Sequence, residues 1–419
     1  MSNSMRNNLL VIISIVSVYW ITSCKHKTSA TVYFKNNKNK VAIKLENYFD
    51  SLAKYAGFNG AFLYKESNKI MLEKAYGFAN FSKKTPFTIH TRMEMASVSK
   101  QFTSMAIMLL KKRGLIKIHS PANNYLPIKL PYKNITVRHL LTHTSGLPKY
   151  EDYFHTKWPK GKYSYNKDIL NYYANSKLPL LFEPGTNFKY SNGGYVILAE
   201  IIKYVSGKSL DKFLDDNIFK KYNFSKTGFV DRQIILNNAD YAPGYYYDKV
   251  QQKYILPDFI KGKEYVTFSS KRLGPGRLSS TIEELAHWDN LLNTNLLLPD
   301  SLFLEMYSPQ PVPGIKSNYA FGWRVNIDSL VGWHIYHTGS FGGNKAYFSR
   351  FKNSPLNGAG KSEKKHLITG KSTLPDQTIV IFNNTGMKIM KKIYFHVDSV
   401  IYNSRKNDIF RNASRFYQN

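Results

Sequence analysis

The chain has one cysteine in 419 residues, and its acids are scarce: 28 Asp plus Glu against 59 Lys plus Arg, for a formal charge of +31. A single thiol excludes an intrachain disulfide framework, and a cysteine-ligated zinc or iron–sulfur centre needs more thiols. From about Val41 onward there is neither an internal repeat nor a long linker. Against these absences stand 43% apolar and 15% aromatic residues, enough to build a sizeable core and to exclude wholesale disorder. The cationic excess invites nucleic-acid binding. The basic residues are scattered, however, and the aromatics form no recognisable RNA-binding signature, so no nucleic-acid partner is expected.

The N-terminus carries Arg6 and then an apolar run from Leu9 to Ile21, too short for a secure membrane span but suited to a signal peptide. The run ends in Ile21-Thr22-Ser23-Cys24, which resembles the lipobox of bacterial lipoproteins. This predicts a leader over 1–23 and lipidation at Cys24; the alternative is a short membrane anchor with an incidental cysteine. Residues 24–41 form a basic tether without acids, suited to an anionic membrane surface. The expected location is the bacterial cell envelope, membrane-anchored through the lipid, in the periplasm or at the surface.

Periodicity predicts a helix over Ile43–Tyr55, strands over Asn59–Lys65 and Lys69–Phe78, and a strong helix from Ser97 to Lys112, where Phe102, Met105, Ala106, Leu109 and Leu110 recur at helical spacing. Further helices are expected over Gly194–Val205 and Thr281–Leu292. Strands return at Ala320–Val325, Trp333–His337, Lys345–Phe351 and Thr378–Phe382, before a closing helix near Met387–Tyr402. Strands at both ends around a helical middle predict an α+β body whose sheet pairs the first and last segments.

Ser97-Val98-Ser99-Lys100 places a hydroxyl in the first turn of the strong helix and an amine three residues later on the same face. The helix N-terminus favours an alkoxide and disfavours a protonated lysine, so a neutral Lys100 could take the serine proton. A Ser-x-x-Lys string alone is more often a capping serine followed by a solvated lysine. Its companions change that: Tyr190-Ser191-Asn192 immediately before a helix, and His337-Thr338-Gly339-Ser340 at the end of a strand.

With these motifs the chain resembles the serine β-lactamase and penicillin-binding-protein-like hydrolases, in their class C-like branch. The stretches Thr136-Val137-Arg138-His139-Leu140-Leu141-Thr142-His143-Thr144-Ser145-Gly146-Leu147 and Gly274-Pro275-Gly276-Arg277-Leu278 add to the resemblance, which runs from about Leu45 to Thr385. It implies a mostly antiparallel sheet flanked by helices, an α/β sandwich, plus a helical lobe with the site in the cleft between them. It also implies that Ser97 is the nucleophile, Lys100 its activator and Tyr190 the shared acid/base. Asn192 would hold the substrate amide or orient Lys100, and the N–H groups of Ser97 and Ser340 would form the oxyanion hole. No cofactor and no metal are implied.

One departure bears on substrate. Family members that act on β-lactams or D-alanyl-D-alanine typically carry lysine where this chain has His337, and a neutral histidine is a weaker clamp for a carboxylate. His337, Thr338, Gly339 and Ser340 are therefore expected to bind substrate in a serine hydrolase acting through an acyl-enzyme on an ester or a D-amino-acid peptide or amide. The alternatives are a penicillin-binding D-alanyl-D-alanine carboxypeptidase or class C-like β-lactamase, or an inactive protein that binds cell-wall peptides. The His139-x-x-x-His143 spacing lacks the glutamate of a zinc protease helix, and the Gly-Lys-Ser strings near 358–372 lack the first glycine of a phosphate loop. The hydrolase domain is expected over 42–403, with a loop insertion at 353–374 and a C-terminal tail at 404–419.

Overall fold

The computed structural model describes residues 39–159, 161–315, 317–354 and 374–416. The expected leader, Cys24, most of the tether and nearly all of the 353–374 insertion lie outside the described residues.

Six strands form the main sheet: β1 (Gly60–Glu66), β2 (Lys69–Tyr76), β3 (Arg324–Asp328), β4 (Gly332–Phe341), β5 (Asn344–Lys352) and β6 (Gln377–Asn383). Their order is β3-β4-β5-β6-β1-β2, and every neighbouring pair is antiparallel. The first and last segments of the chain pair directly, Gly60 opposite Asn383 through Glu66 opposite Gln377. These strands read as continuous apolar runs because both faces are covered. Ala61 and Leu63 of β1, with Val380 and Phe382 of β6, enter the core shared with the helical lobe. Their neighbours Phe62, Tyr64, Ile379 and Ile381 enter a second core on the opposite face.

That second core is closed by α1 (Lys40–Ala56) and by the helix Met390–Phe416. In α1, Leu45, Phe49 and Leu52 supply the buried stripe, Asn39 caps the start by accepting from the Ala42 N–H at 2.9 Å, and Gly57 ends it at φ 67°. The closing helix outruns its expected end at Tyr402, because Arg405 continues the buried face. Its guanidinium donates to the carbonyls of Val331 (2.9 Å) and Pro375 (2.7 Å). The strand expected over Ala320–Val325 instead occupies Arg324–Asp328. Ala320, Phe321 and Trp323 are fully buried beneath the lobe, where apolarity reflects packing rather than extension.

On the other face lie α2 (Lys100–Lys112), α3 (Asn192–Ser206) and α4 (Ile282–Leu292). An ionic cluster ties α4 to the sheet: Asp289 receives Arg350 Nε at 2.5 Å, Thr378 Oγ1 at 2.9 Å, and Lys65 Nζ. A small second sheet joins Gly228–Phe229, Leu278–Ser280, Arg92–Glu94 and Tyr241–Ala242. Two of its strands border the Ser97 turn: Arg92–Glu94 runs into it, and Leu278 accepts the Met95 N–H at 2.8 Å.

Candidate active site

Ser97 lies in a 3-10 turn, Ala96–Ser99, that feeds α2. Ala96 has φ 49°, in the left-handed region that a residue with a Cβ rarely occupies. Strained backbone of this kind persists only where surroundings over-determine it, and here both flanks are pinned. Met95 donates to the Leu278 carbonyl, and Ser99 Oγ accepts the Leu278 N–H at 3.2 Å. From the sheet side, β4 approaches so closely that a Cβ built on Gly339 would collide with the Met95 carbonyl oxygen. Gly339 thus serves packing, and it brings Ser340 to the cleft in which Ser97 lies.

Lys100 is completely buried. Its Nζ stands 3.1 Å from Ser97 Oγ, 2.9 Å from Asn192 Oδ1 and 2.7 Å from the Pro275 carbonyl. Burial pulls its pKa well below the ordinary lysine value, against the opposing attraction of Glu151. A neutral amine has two N–H bonds and one lone pair. The two oxygens that can only accept, those of Asn192 and Pro275, take the N–H bonds, which leaves the lone pair for the Ser97 hydroxyl. The Asn192 amide is oriented in turn, since its Nδ2 donates to Glu151 Oε1 at 3.0 Å.

Tyr190 completes the group. Lys100 Nζ lies 4.8 Å from its ring centroid, and its buried hydroxyl has no hydrogen-bond partner among the described residues. Burial raises its pKa, against a smaller lowering by the neighbouring Ser97 hydroxyl, so the phenol keeps its proton at neutral pH. His143 holds this loop: its Nδ1 accepts the Ser191 N–H at 3.1 Å, and its ring centroid lies 4.1 Å from that of Tyr190. His139, by contrast, serves a helix cap with Thr136, and no metal-ligating group of three residues occurs among the described residues.

The remaining predicted site residues do not converge as expected. His337 is buried with both ring nitrogens occupied. Nδ1 lies 2.7 Å from the Thr338 carbonyl, which can only accept, so Nδ1 carries the proton and Nε2 accepts the Tyr319 hydroxyl at 2.9 Å. Burial, reinforced by Lys100, lowers its pKa to about 3, so the ring is neutral. Thr338 lines a groove under the closing helix rather than the Ser97 cleft. Strand alternation turns Thr338 to the face opposite its neighbour His337. Of the four, Ser340 reaches the cleft.

That cleft, of about 280 Å³, is walled by Ser97, Asn192 and Ser340 together with Tyr150, Glu151, His155, Tyr265, Arg272 and Arg277. Sequence reasoning missed Glu151 and Arg272. Neither sits in a motif, and each reaches the site only through the fold of the lobe.

A model of the beta-lactamase family matches residues 45–356. The chain is 33% identical over 319 residues to penicillin-binding protein 4* of Bacillus subtilis (strain 168), covering 76% of this chain and 70% of that protein. It is 26% identical over 282 residues to the D-aminopeptidase of Brucella anthropi, covering 65% of this chain and 50%, about half, of that protein's length. Among solved structures, a penicillin-binding protein from Bacillus halodurans shares the fold with a TM-score of 0.67 at 22% identity, over 85% of this chain and 99% of that one. The chain belongs to the beta-lactamase family of serine hydrolases.

Proposed function

We propose that the chain hydrolyses D-amino-acyl esters or amides through an acyl-enzyme on Ser97. The observation that carries the substrate reading is His337: neutral, buried and hydrogen-bonded on both sides, it offers no cation to a substrate carboxylate. Glu151 instead lines the cleft with no ion pair to it among the described residues, which favours a substrate ammonium. The printed name of the Brucella relative, a D-aminopeptidase, agrees with that chemistry.

In this mechanism Ser97 Oγ attacks the carbonyl carbon while its proton passes to Lys100 Nζ. The N–H groups of Ser97 and Ser340 receive the developing oxyanion. The scissile C–O or C–N bond then breaks, the leaving group takes the Tyr190 proton, and Lys100 returns a proton to the phenolate. Water repeats the sequence on the acyl-enzyme and frees Ser97.

Mass spectrometry after incubation with penicillin, a p-nitrophenyl ester and a D-amino-acid amide tests this. Turnover of the last two without a lasting penicillin adduct is expected. A persistent penicillin adduct would favour a D,D-carboxypeptidase, efficient β-lactam hydrolysis a β-lactamase, and neither adduct nor turnover a cell-wall-peptide binding protein. Ser97→Ala should abolish labelling by a fluorophosphonate; retained labelling would sink the nucleophile assignment.

The proposal includes an envelope address: a leader over 1–23, lipid on Cys24 and a basic tether over 24–41. It rests on the sequence pattern of these segments.

A further inference from the structure

The closing helix carries Tyr394, Asp398 and Tyr402 at four-residue spacing, which puts them on one face, toward β4 and β5. With His334 and Tyr336 of β4 and Tyr347 of β5 they wall a groove of about 620 Å³, which shares no residue with the Ser97 cleft. Its size is that of a site for a drug-sized molecule. Tyr347 stacks on Tyr394 with centroids 4.3 Å apart, and His334 on Tyr336 at 4.5 Å, so these walls are held in place. Tyr336 and Tyr402 are only half-buried, which leaves apolar ring surface open in the groove.

Two carboxylates line the groove, and they differ in how they are satisfied. Asp328 accepts the N–H groups of Leu330 (2.8 Å) and Val331 (2.9 Å) and the Tyr402 hydroxyl at 2.9 Å. Asp398 has 21% of its side chain exposed and neutral partners only: the Tyr347 hydroxyl donates to Oδ2 at 2.5 Å, and Ser349 Oγ lies 3.3 Å from Oδ1. No lysine or arginine forms an ion pair with it among the described residues, and Lys391, which also lines the groove, lies about two turns back along the helix. Burial lifts the Asp398 pKa to about 7, against the lowering by the Tyr347 and Ser349 hydroxyls. His334 supplies no counter-charge, because burial lowers its pKa to about 3. Nor do Ser349, His334 and Asp398 form a hydrolytic relay. Ser349 is fully buried, and serine (2.9 Å) and carboxylate (3.6 Å) meet the same ring nitrogen, Nε2.

We infer that this groove binds an organic ammonium carried on an aromatic or apolar body, with the charge at Asp398 and the body against the tyrosine rings. A withdrawn carboxylate without a cation is costly, and an ammonium offsets that cost with a charge-assisted bond. Each Asp398 oxygen keeps acceptor capacity after the one bond it makes, and the ring faces attract the same cation. An anionic occupant would meet two carboxylates. The inference does not depend on the hydrolase reading.

Calorimetric titration of the full chain with phenethylammonium, and with 2-phenylethanol as its near-isosteric neutral counterpart, tests this. The chain carries Glu151→Gln throughout, so that the ammonium site proposed for the cleft does not contribute. At about pH 8, where Asp398 is ionised, the ammonium should bind saturably and roughly ten-fold or more tighter than the alcohol. Adding Asp398→Asn should bring the two affinities together, and adding Tyr336→Leu, which removes a ring, should weaken the ammonium a few-fold. Should the asparagine variant not fold, the comparison of the two probes and the leucine variant decide. Equal binding of the probes, no saturable binding of the ammonium, an ammonium preference that persists in Asp398→Asn, or unchanged affinity in Tyr336→Leu overturns the proposal. Ester turnover by the wild type is read separately, so failure here leaves the assignment of Ser97 standing.

Discussion

At Lys100, the decisive quantity is the number of hydrogen-bond acceptors that cannot also donate. Two such oxygens claim the two N–H bonds of a neutral amine, and the remaining lone pair points the proton path from Ser97 to Lys100. Lys100→Met should lower kcat by about 10²–10⁴-fold, the usual worth of a general base, measured on any ester the wild type turns over. The pH profile carries a sign that can be worked out. Lys100 must be neutral, so activity falls as pH drops through its depressed pKa, giving an acid limb below the ordinary lysine value of 10.5. Tyr190 must be protonated and its pKa is raised, so no alkaline loss should come from it below about pH 10. On an ester substrate without an ionisable amine, a kcat/KM profile that falls between pH 8 and 10 would contradict the pairing of roles.

At the level of elements, the site depends on how closely β4 approaches the turn before α2. Gly339 permits that approach, a packing requirement that its place in the motif does not reveal. Gly339→Ala should destabilise the fold by about 1–3 kcal/mol, as overpacking does, and lower kcat more than it changes KM. Thermal unfolding and steady-state kinetics on one preparation would separate the two effects. Unchanged kcat would mean that the distance between β4 and the turn does not position the oxyanion donors.

For the whole molecule, one buried carboxylate adds an ionic tie between α4 and the sheet to the core they share. Burial alone would raise the Asp289 pKa, but Arg350 and Lys65 outweigh it and hold it below the usual carboxylate range. Asp289→Ala leaves two buried cations uncompensated and should cost about 3–5 kcal/mol in chemical denaturation. A folded-state pKa below the unfolded value of about 3.9 gives stability that is present above that value and lost as pH falls further. Acid unfolding should therefore begin below about pH 4 from this source, and the Asp289→Asn variant should lose that dependence. The proposed envelope anchoring belongs to the same scale: Cys24→Ala should abolish incorporation of labelled palmitate, and unaltered labelling would refute the proposed lipid attachment.

Much was legible in the chain because it is locally encoded. Helical spacing marked the helix after Ser97, the apolar runs marked β1, β5 and β6, and the Ser-x-x-Lys and Tyr-Ser-Asn strings marked residues that meet at Lys100. Where a signal depended on what covers a face, it misled: Ala320, Phe321 and Trp323 are apolar because the lobe buries them, and the closing helix runs on because Arg405 finds carbonyls to bond. Tertiary structure alone decided the charges around the nucleophile. The Tyr319 hydroxyl on His337, the Glu151 carboxylate behind Asn192 and the buried Nη2 of Arg272 depend on residues that no motif contains and that the fold brings to the site. Pairwise electrostatics depends on distance and burial, and neither is written in sequence order.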